Sequence, residues 1–270
     1  MAKTSFSTWF LYRTIPGRMV LSVLVRPGIS RLAGRFLSSR LSKPLIPFYV
    51  KACHLDLSLC DQTDFQSFND CFTRHYREDV RPFDPDLSHP VCPCDGLLSA
   101  YPIQDGLVLP VKQSAYRIDD LVQDAALAHQ YRDGLALVFR LEVTNYHRYF
   151  FIDEGRVLSS RSIPGLLHTV RPIALRDIPV FTENARDVTL METEHFGKVT
   201  QIEVGAMMVG KIKNHPVAEF HRGEEKGCFL FGGSTIILLF EKDRIKIRPE
   251  LISKTRRGHE TPVKAGERLD

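Results

Sequence analysis

The run Ser234-Thr-Ile-Ile-Leu-Leu-Phe240, entered through Gly232-Gly233, is the feature that most constrains this chain. Seven residues, nearly all apolar and partly β-branched, read as a strand buried on both faces, so a sheet and a core must be built around it. Two successive glycines before Ser234 open backbone conformations, including φ > 0, that other residues avoid. They place the Ser234 hydroxyl at a bend, within reach of a backbone carbonyl. Taken alone, the stretch reads first as a hairpin turn entering a core strand.

Short apolar runs of the same kind recur between turn residues from Val91 onward. Leu97–Tyr101, Leu107–Val111, Leu135–Val143, Val188–Thr193 and Val199–Val209 join Ser234–Phe240 as expected strands. One helix is expected within Ile118–Gln130, where Ile118, Leu121, Val122 and Ala125 share a face. An earlier one is expected after the capping-box form Thr63-Asp-Phe-Gln66, with Phe65, Phe68 and Phe72 on one side and an end near Arg74. After about Leu251 the chain turns polar and is expected to fray. The fold class is α+β: a β-rich domain over residues 52–250, a basic helical appendage over residues 1–51 and a polar tail over residues 251–270.

The appendage is set apart by charge. Residues 1–51 hold nine Lys/Arg and no Asp or Glu, so the net +4 of the 270-residue chain hides an acidic remainder of 27 Lys/Arg against 32 Asp/Glu. Met19, Leu21, Val23, Leu24, Ile29, Leu32, Phe36 and Leu41 recur at helical spacing across a Pro27-Gly28 break. Arg18, Arg26, Arg31, Arg35 and Arg40 supply the polar side. Such a helix lies in the headgroup plane of an anionic membrane, or packs on the body with a solvated basic face, and the two are compatible. Met19–Val25, flanked by Arg18 and Arg26, is far too short to span a bilayer and lacks a signal-peptide cleavage site. Cys53, Cys60, Cys71, Cys92, Cys94 and Cys228 form neither a CxxC…CxxC pattern nor a disulfide frame. Reduced thiols, no metal site and a cytoplasmic setting are expected.

Three residues carry possible chemistry. Asp95 sits in the turn Cys92-Pro-Cys-Asp-Gly96, which by itself is ordinary turn chemistry. His147 sits in Thr144-Asn-Tyr-His-Arg-Tyr-Phe-Phe151, after an expected strand, where a lone histidine is commonly structural. An Asp that orients a His, and a His that takes a hydroxyl proton, would make a nucleophile of Ser234. Spacing alone does not bring the three together.

The residues around them form an ordered set. Phe68-Asn-Asp-Cys-Phe-Thr-Arg74 is followed by Val80-Arg-Pro82, Cys92-Pro-Cys-Asp-Gly96, Asn145-Tyr-His-Arg148, Phe181-Thr-Glu-Asn-Ala-Arg186, Val204-Gly-Ala-Met-Met-Val-Gly210 and Gly232-Gly-Ser-Thr235. In this order they resemble the motifs of phosphatidylserine decarboxylases over nearly the whole chain. The last is similar to that family's Leu-Gly-Ser-Thr cleavage site, with Gly232 in place of leucine. The resemblance implies that Ser234 attacks its own preceding carbonyl, that of Gly233, and that the chain splits between Gly233 and Ser234. Residue 234 then becomes a covalent pyruvoyl cofactor, which forms a Schiff base with the substrate amine and draws off electrons as CO2 leaves. Asp95 and His147 are the implied base, and His147 also the proton donor after CO2 loss. The implied partners are phosphatidylserine and an anionic membrane surface, at the cytoplasmic face of the cell membrane, with no nucleic acid. The two cleavage products are expected to stay associated, in a monomer or a homo-oligomer.

One position departs from the family. Where many members carry a second histidine three residues after the first, this chain has Phe150, so His147 serves both steps or another group takes one. His195, in Thr193-Glu-His-Phe-Gly197, is a spare candidate. A pyruvoyl-dependent decarboxylase of a free amino acid would not need the basic appendage, and a non-catalytic lipid-binding relative would not need Asp95, His147 and the Gly-Ser-Thr site. A conventional serine hydrolase is disfavoured because Ser234 lacks a Gly-x-Ser-x-Gly elbow.

Overall fold

The computed structural model of the chain describes residues 6–105, 108–111, 114–175, 178–207, 211–232 and 234–270. Gly233 and the expected strand residues Leu107, Met208 and Val209 lie outside the described residues. The fold is α+β.

Four helices come first: α1 (Phe6–Arg13), α2 (Ile15–Leu24), α3 (Pro27–Leu37) and, after a 3-10 turn at Arg40–Leu45, α4 (Ile46–Cys53). Proline opens α2, α3 and α4 within their first two positions, where its missing N–H costs nothing. Thr14 caps α2 by accepting from the Gly17 amide at 3.0 Å. The expected single stripe is divided in space. Leu21, Val25 and Leu37 turn inward, whereas Met19 is 70% exposed and Val23, Leu32, Phe36 and Leu41 also face out. The segment packs on the body and still presents an apolar outer face. Among the described residues no helix is long and apolar enough to cross a membrane.

α5 (Phe68–Phe72) begins later than expected. Its cap is Ser67, whose hydroxyl accepts from the Asp70 amide, while the Asp70 carboxylate accepts from the Gln66 amide at 2.8 Å. The Thr63 box is thus not the one used. β1 (Gly96–Pro102), β2 (Val108–Val111) and β3 (Ser114–Arg117) follow, then α6 (Ile118–Val122) and α7 (Ala125–His129) in place of one longer helix. Gln123, in the left-handed region, ends α6, and the Asp124 carboxylate caps α7. Next come β4 (Leu135–Leu141), β5 (Arg148–Phe150), β6 (Gly155–Ile163), α8 (Pro172–Leu175), α9 (Val180–Glu183), β7 (Arg186–Thr193), β8 (Gly197–Val204), β9 (Ile212–Asn214), β10 (Glu219–Phe220), β11 (Glu225–Phe229), β12 (Ser234–Phe240), α10 (Pro249–Arg256) and β13 (Thr261–Val263).

β12 lies inside an eight-stranded antiparallel sheet ordered β10-β6-β7-β8-β12-β4-β1-β13. It pairs with β4 from Ser234↔Leu141 to Phe240↔Leu135, and with β8 from Thr235↔Val204 to Phe240↔Val199. All seven of its residues are buried. Each of the five large apolar ones contributes roughly 1.5–3 kcal/mol by leaving water. A three-stranded sheet, β5-β11-β9, carries the chain into the bend before Ser234.

The expected frayed end is overturned. α10 packs on β1, β13 pairs with β1, and Val263, Ala265 and Leu269 are buried. Backbone bonds from Cys92 N to Glu267 O and from Leu269 N to Pro90 O, each 2.9 Å, close this zipper. The charges that made the segment look solvated are partly internal: Arg140 on β4 makes a fork to Glu260, at 3.0 and 2.7 Å.

Candidate active site

The bend into Ser234 is held from below by α5. Phe231 wedges edge-on against Phe68 and Phe72, with centroids 4.9 and 5.2 Å away, and its amide donates to Asn69 Oδ1 at 3.1 Å. Asn69 in turn donates to Ser38, just past α3, so the appendage and the bend share one hydrogen-bonded path. Gly232 follows with φ 137°, a conformation that favours glycine and turns the chain into β12. This is the backbone freedom expected of the glycine pair. Its other member, Gly233, lies outside the described residues.

His147 approaches the same bend from the loop before β5. Its ring lies on Phe72, centroid to centroid 4.1 Å, and its carbonyl accepts from the Phe229 amide at 3.0 Å. Nδ1 stands 2.9 Å from the Asn145 carbonyl oxygen. A carbonyl can only accept, so Nδ1 carries the proton and Nε2 presents a bare lone pair. That Nε2 is buried and, among the described residues, has no hydrogen-bond partner. Burial, above all, pulls the His147 pKa down to about 3, with the Arg74 charge adding to the effect and the Asn145 and Gly232 backbones and Asp95 opposing it. The Gly232 backbone thus lies close enough to act on the ring without completing a hydrogen bond. A histidine so placed is neutral across the physiological range.

Ser234 Oγ is likewise fully buried and, among the described residues, without a partner. Orphaned buried polar groups are rare, because each forfeits its hydration without return. Here two, a bare acceptor and a hydroxyl donor, belong to the segments that meet at the glycine bend, His147 through Phe72 and Phe231 and Ser234 at the bend's exit. Thr235 Oγ1 is a third orphan, but strand alternation sends it to the opposite face from Ser234.

Asp95 is near but differently engaged. Oδ1 accepts from Arg81 Nε at 2.8 Å and from the Ala265 amide at 3.0 Å, and Oδ2 accepts from Arg81 Nη2 at 2.6 Å. No hydrogen bond joins Asp95 to His147; their coupling is through charge alone. The turn around Asp95 is tied to the His147 loop by the Phe150 amide, which donates to the Pro93 carbonyl at 2.9 Å. The imidazole is therefore oriented by Asn145 and Phe72, not by a carboxylate. Phe150 itself belongs to an aromatic column: it meets Phe83 at 5.4 Å and stacks with Tyr146 at 6.3 Å, and Tyr146 stacks on Tyr76 at 4.2 Å.

His195 is not brought to this site. It occupies the β7–β8 turn, at the other end of β8 from Val204 and roughly 20–25 Å from the Ser234 end at about 3.3 Å per residue. There Nδ1 bonds the buried Asp153 carboxylate at 2.8 Å, and its amide bonds the other carboxylate oxygen. Arg18, Arg26, Arg31, Arg35 and Arg40 are all exposed, and among the described residues none pairs with a carboxylate. Asn69, Arg81, Asn145 and Phe231 were not singled out from sequence. Asn69 and Arg81 stand inside motif blocks that only the fold converts into contacts.

Comparison with known proteins identifies the family. A profile of the phosphatidylserine decarboxylase family matches residues 68–269. Phosphatidylserine decarboxylase proenzyme 2 of Clostridium acetobutylicum is 41% identical over 261 residues, 96% of this chain and 90% of the relative. The phosphatidylserine decarboxylase proenzymes of Ruminiclostridium cellulolyticum and Desulfitobacterium hafniense are 38% and 37% identical, over 96% and 97% of this chain and 89% and 90% of theirs. The chain belongs to the phosphatidylserine decarboxylase family.

Proposed function

We propose that the chain is a self-cleaving proenzyme that decarboxylates phosphatidylserine to phosphatidylethanolamine. The observation that carries the reading is the pair of unpartnered buried atoms, His147 Nε2 and Ser234 Oγ, flanking the Gly232 bend. Neutral His147 accepts the Ser234 hydroxyl proton as Oγ attacks the Gly233 carbonyl carbon. The peptide C–N bond breaks and the amine takes up the proton, leaving an ester between Gly233 and Ser234 Oγ. Loss of the residue-234 Cα proton then breaks the Cβ–Oγ bond, freeing a carboxylate at Gly233 and a dehydroalanine. Water converts the dehydroalanine to a pyruvoyl group and releases ammonia. A pyruvoyl group held there supplies an electron sink for decarboxylation of an amine substrate. The fit is good: the nitrogen of the strand's first residue is the atom lost, and the rest of β12 is locked between β4 and β8.

The same packing supports lasting association of chains 1–233 and 234–270. Residues 234–270 contribute a central strand and the β13 zipper. The new end of the larger chain is anchored by the buried Lys226–Glu203 pair at 2.8 Å, between β11 and β8.

We further propose that the chain docks peripherally on the cytoplasmic face of an anionic membrane. The support is an outer face where Met19, Ile15, Leu32, Leu41 and Phe48 lie exposed beside unpaired Arg18, Arg26, Arg31, Arg35 and Arg40. Each such arginine adds ~1 kcal/mol near an anionic surface. Removing residues 1–51 is a poor test, because Tyr12, Leu21 and Val25 belong to the main core. Substituting Met19, Leu32 and Phe48 by serine leaves that core intact. The triple variant is expected to lose cosedimentation with anionic vesicles while still self-cleaving; undiminished binding sinks the docking proposal.

A further inference from the structure

Arg74 is a charge that self-cleavage leaves without a task. Its side chain is 1% exposed, yet among the described residues no carboxylate pairs with it. Its partners are neutral: Nη2 donates to the Tyr76 hydroxyl at 3.0 Å, Nη1 donates to the Phe72 carbonyl at a long 3.4 Å, and the guanidinium lies 5.3 Å from the Tyr76 ring centroid. Among the described residues Nε finds no acceptor. Arg81, against the same Tyr76 ring, has Asp95 as its counter-charge; Arg74 has none. A buried guanidinium with spare N–H groups and no anion is costly to keep, and it is the arrangement in which an incoming anion gains most. The position is also right: Arg74 donates to the carbonyl of Phe72, whose ring lies 4.1 Å from that of His147.

We propose that Arg74 receives the phosphodiester of the phospholipid substrate, an inference that rests on the decarboxylase reading above. The substrate offers two anions. An ion pair to the carboxylate would stabilise the ground state against loss of CO2, whereas the phosphodiester keeps its charge from substrate to product. Arg74 therefore holds the group that does not react, as a binding residue with equal grip before and after chemistry. Entry follows from the cleavage itself. Phe231 lies on Phe72, the residue whose carbonyl Arg74 holds and whose ring covers His147. Once the bond after Gly233 is cut, Phe231 is two residues from a free chain end and can withdraw from Phe72.

The test uses the full chain with Arg74→Gln and Arg74→Lys, assayed on phosphatidylserine in mixed micelles, with intact mass reporting self-cleavage. Both variants are expected to cleave. Arg74→Gln should raise KM about ten-fold or more with kcat within two-fold, and Arg74→Lys, a charge without the fork, should fall between. Inhibition by phosphatidylethanolamine, which keeps the phosphodiester but lacks the carboxylate, should weaken by the same factor as KM rises. Unchanged KM overturns the proposal. A raised KM with unchanged phosphatidylethanolamine inhibition assigns Arg74 to the carboxylate and overturns it too. If only Arg74→Gln fails to fold, Arg74→Lys carries the comparison; failure of both to cleave assigns Arg74 to the fold. A wild-type protein that does not decarboxylate phosphatidylserine instead removes the functional reading itself.

Discussion

The molecule holds two aspartate–histidine neighbourhoods, at opposite ends of the strands beside β12, and they differ in what is left unsatisfied. At the β7–β8 turn, Asp153 and His195 bond directly, side chain to side chain and carboxylate to amide. The pair ties the β7–β8 turn to the segment before β6. At the other end, Asp95 is consumed by Arg81 and Ala265, while among the described residues His147 Nε2 and Ser234 Oγ have no partner. The more complete pair is the structural one. On the proposed function, reactivity resides where the fold withholds hydrogen bonds and so keeps a base neutral and a hydroxyl free.

The largest effect that breaks this contrast is Ser234→Ala. It should abolish cleavage and leave one 30.8 kDa chain by mass. His147→Gln comes next: self-cleavage is expected to slow by roughly 10²–10⁴-fold in a pulse-chase, as for loss of a general base, while His195→Gln stays within two-fold of wild type. Equal slowing by both would erase the distinction between the two ends. Asp95→Asn strands the Arg81 guanidinium in a mostly buried position and should cost about 3 kcal/mol in urea unfolding, whereas Asp153→Asn leaves a more exposed imidazole and should cost about 1–2. The last effect is on pH. His147 titrates at about 3 when folded against 6.5 for an unperturbed ring, so the folded state binds fewer protons between these values. Its stabilisation is complete above about pH 6.5 and declines as pH falls towards 3, by about 2 kcal/mol at pH 5. Urea unfolding of uncleaved Ser234→Ala at pH 7.5 and 5 should show that loss, and adding His147→Gln should remove it.

Legibility from sequence followed burial. β12 was readable end to end because all seven residues are interior, and β1 and β4 came within two residues for the same reason. β6, Gly155–Ile163, gave no such signal: most of its side chains face water, and its pairing with β7 makes it a strand. β11 was hidden by Lys226, which reads as a loop residue until Glu203 is seen beside it in the interior. The C-terminal stretch failed likewise, its charged pattern concealing Val263, Ala265 and Leu269. At the site, the Gly232 bend and Ser234 were visible locally. The motif order added Asp95 and His147. What no spacing could supply was the pairing: that Asp95 turns to Arg81, that Asn145 sets the His147 tautomer, and that Arg74 is left without a counter-charge. Those depend on contacts between segments far apart in the chain.

The central claim is that Ser234 is consumed by the protein itself. Intact-mass analysis of purified wild-type protein tests it most directly. Two chains are predicted, residues 1–233 ending in a free carboxylate and residues 234–270 carrying an N-terminal pyruvoyl that blocks Edman degradation. A single 270-residue chain with Ser234 unmodified would contradict the account.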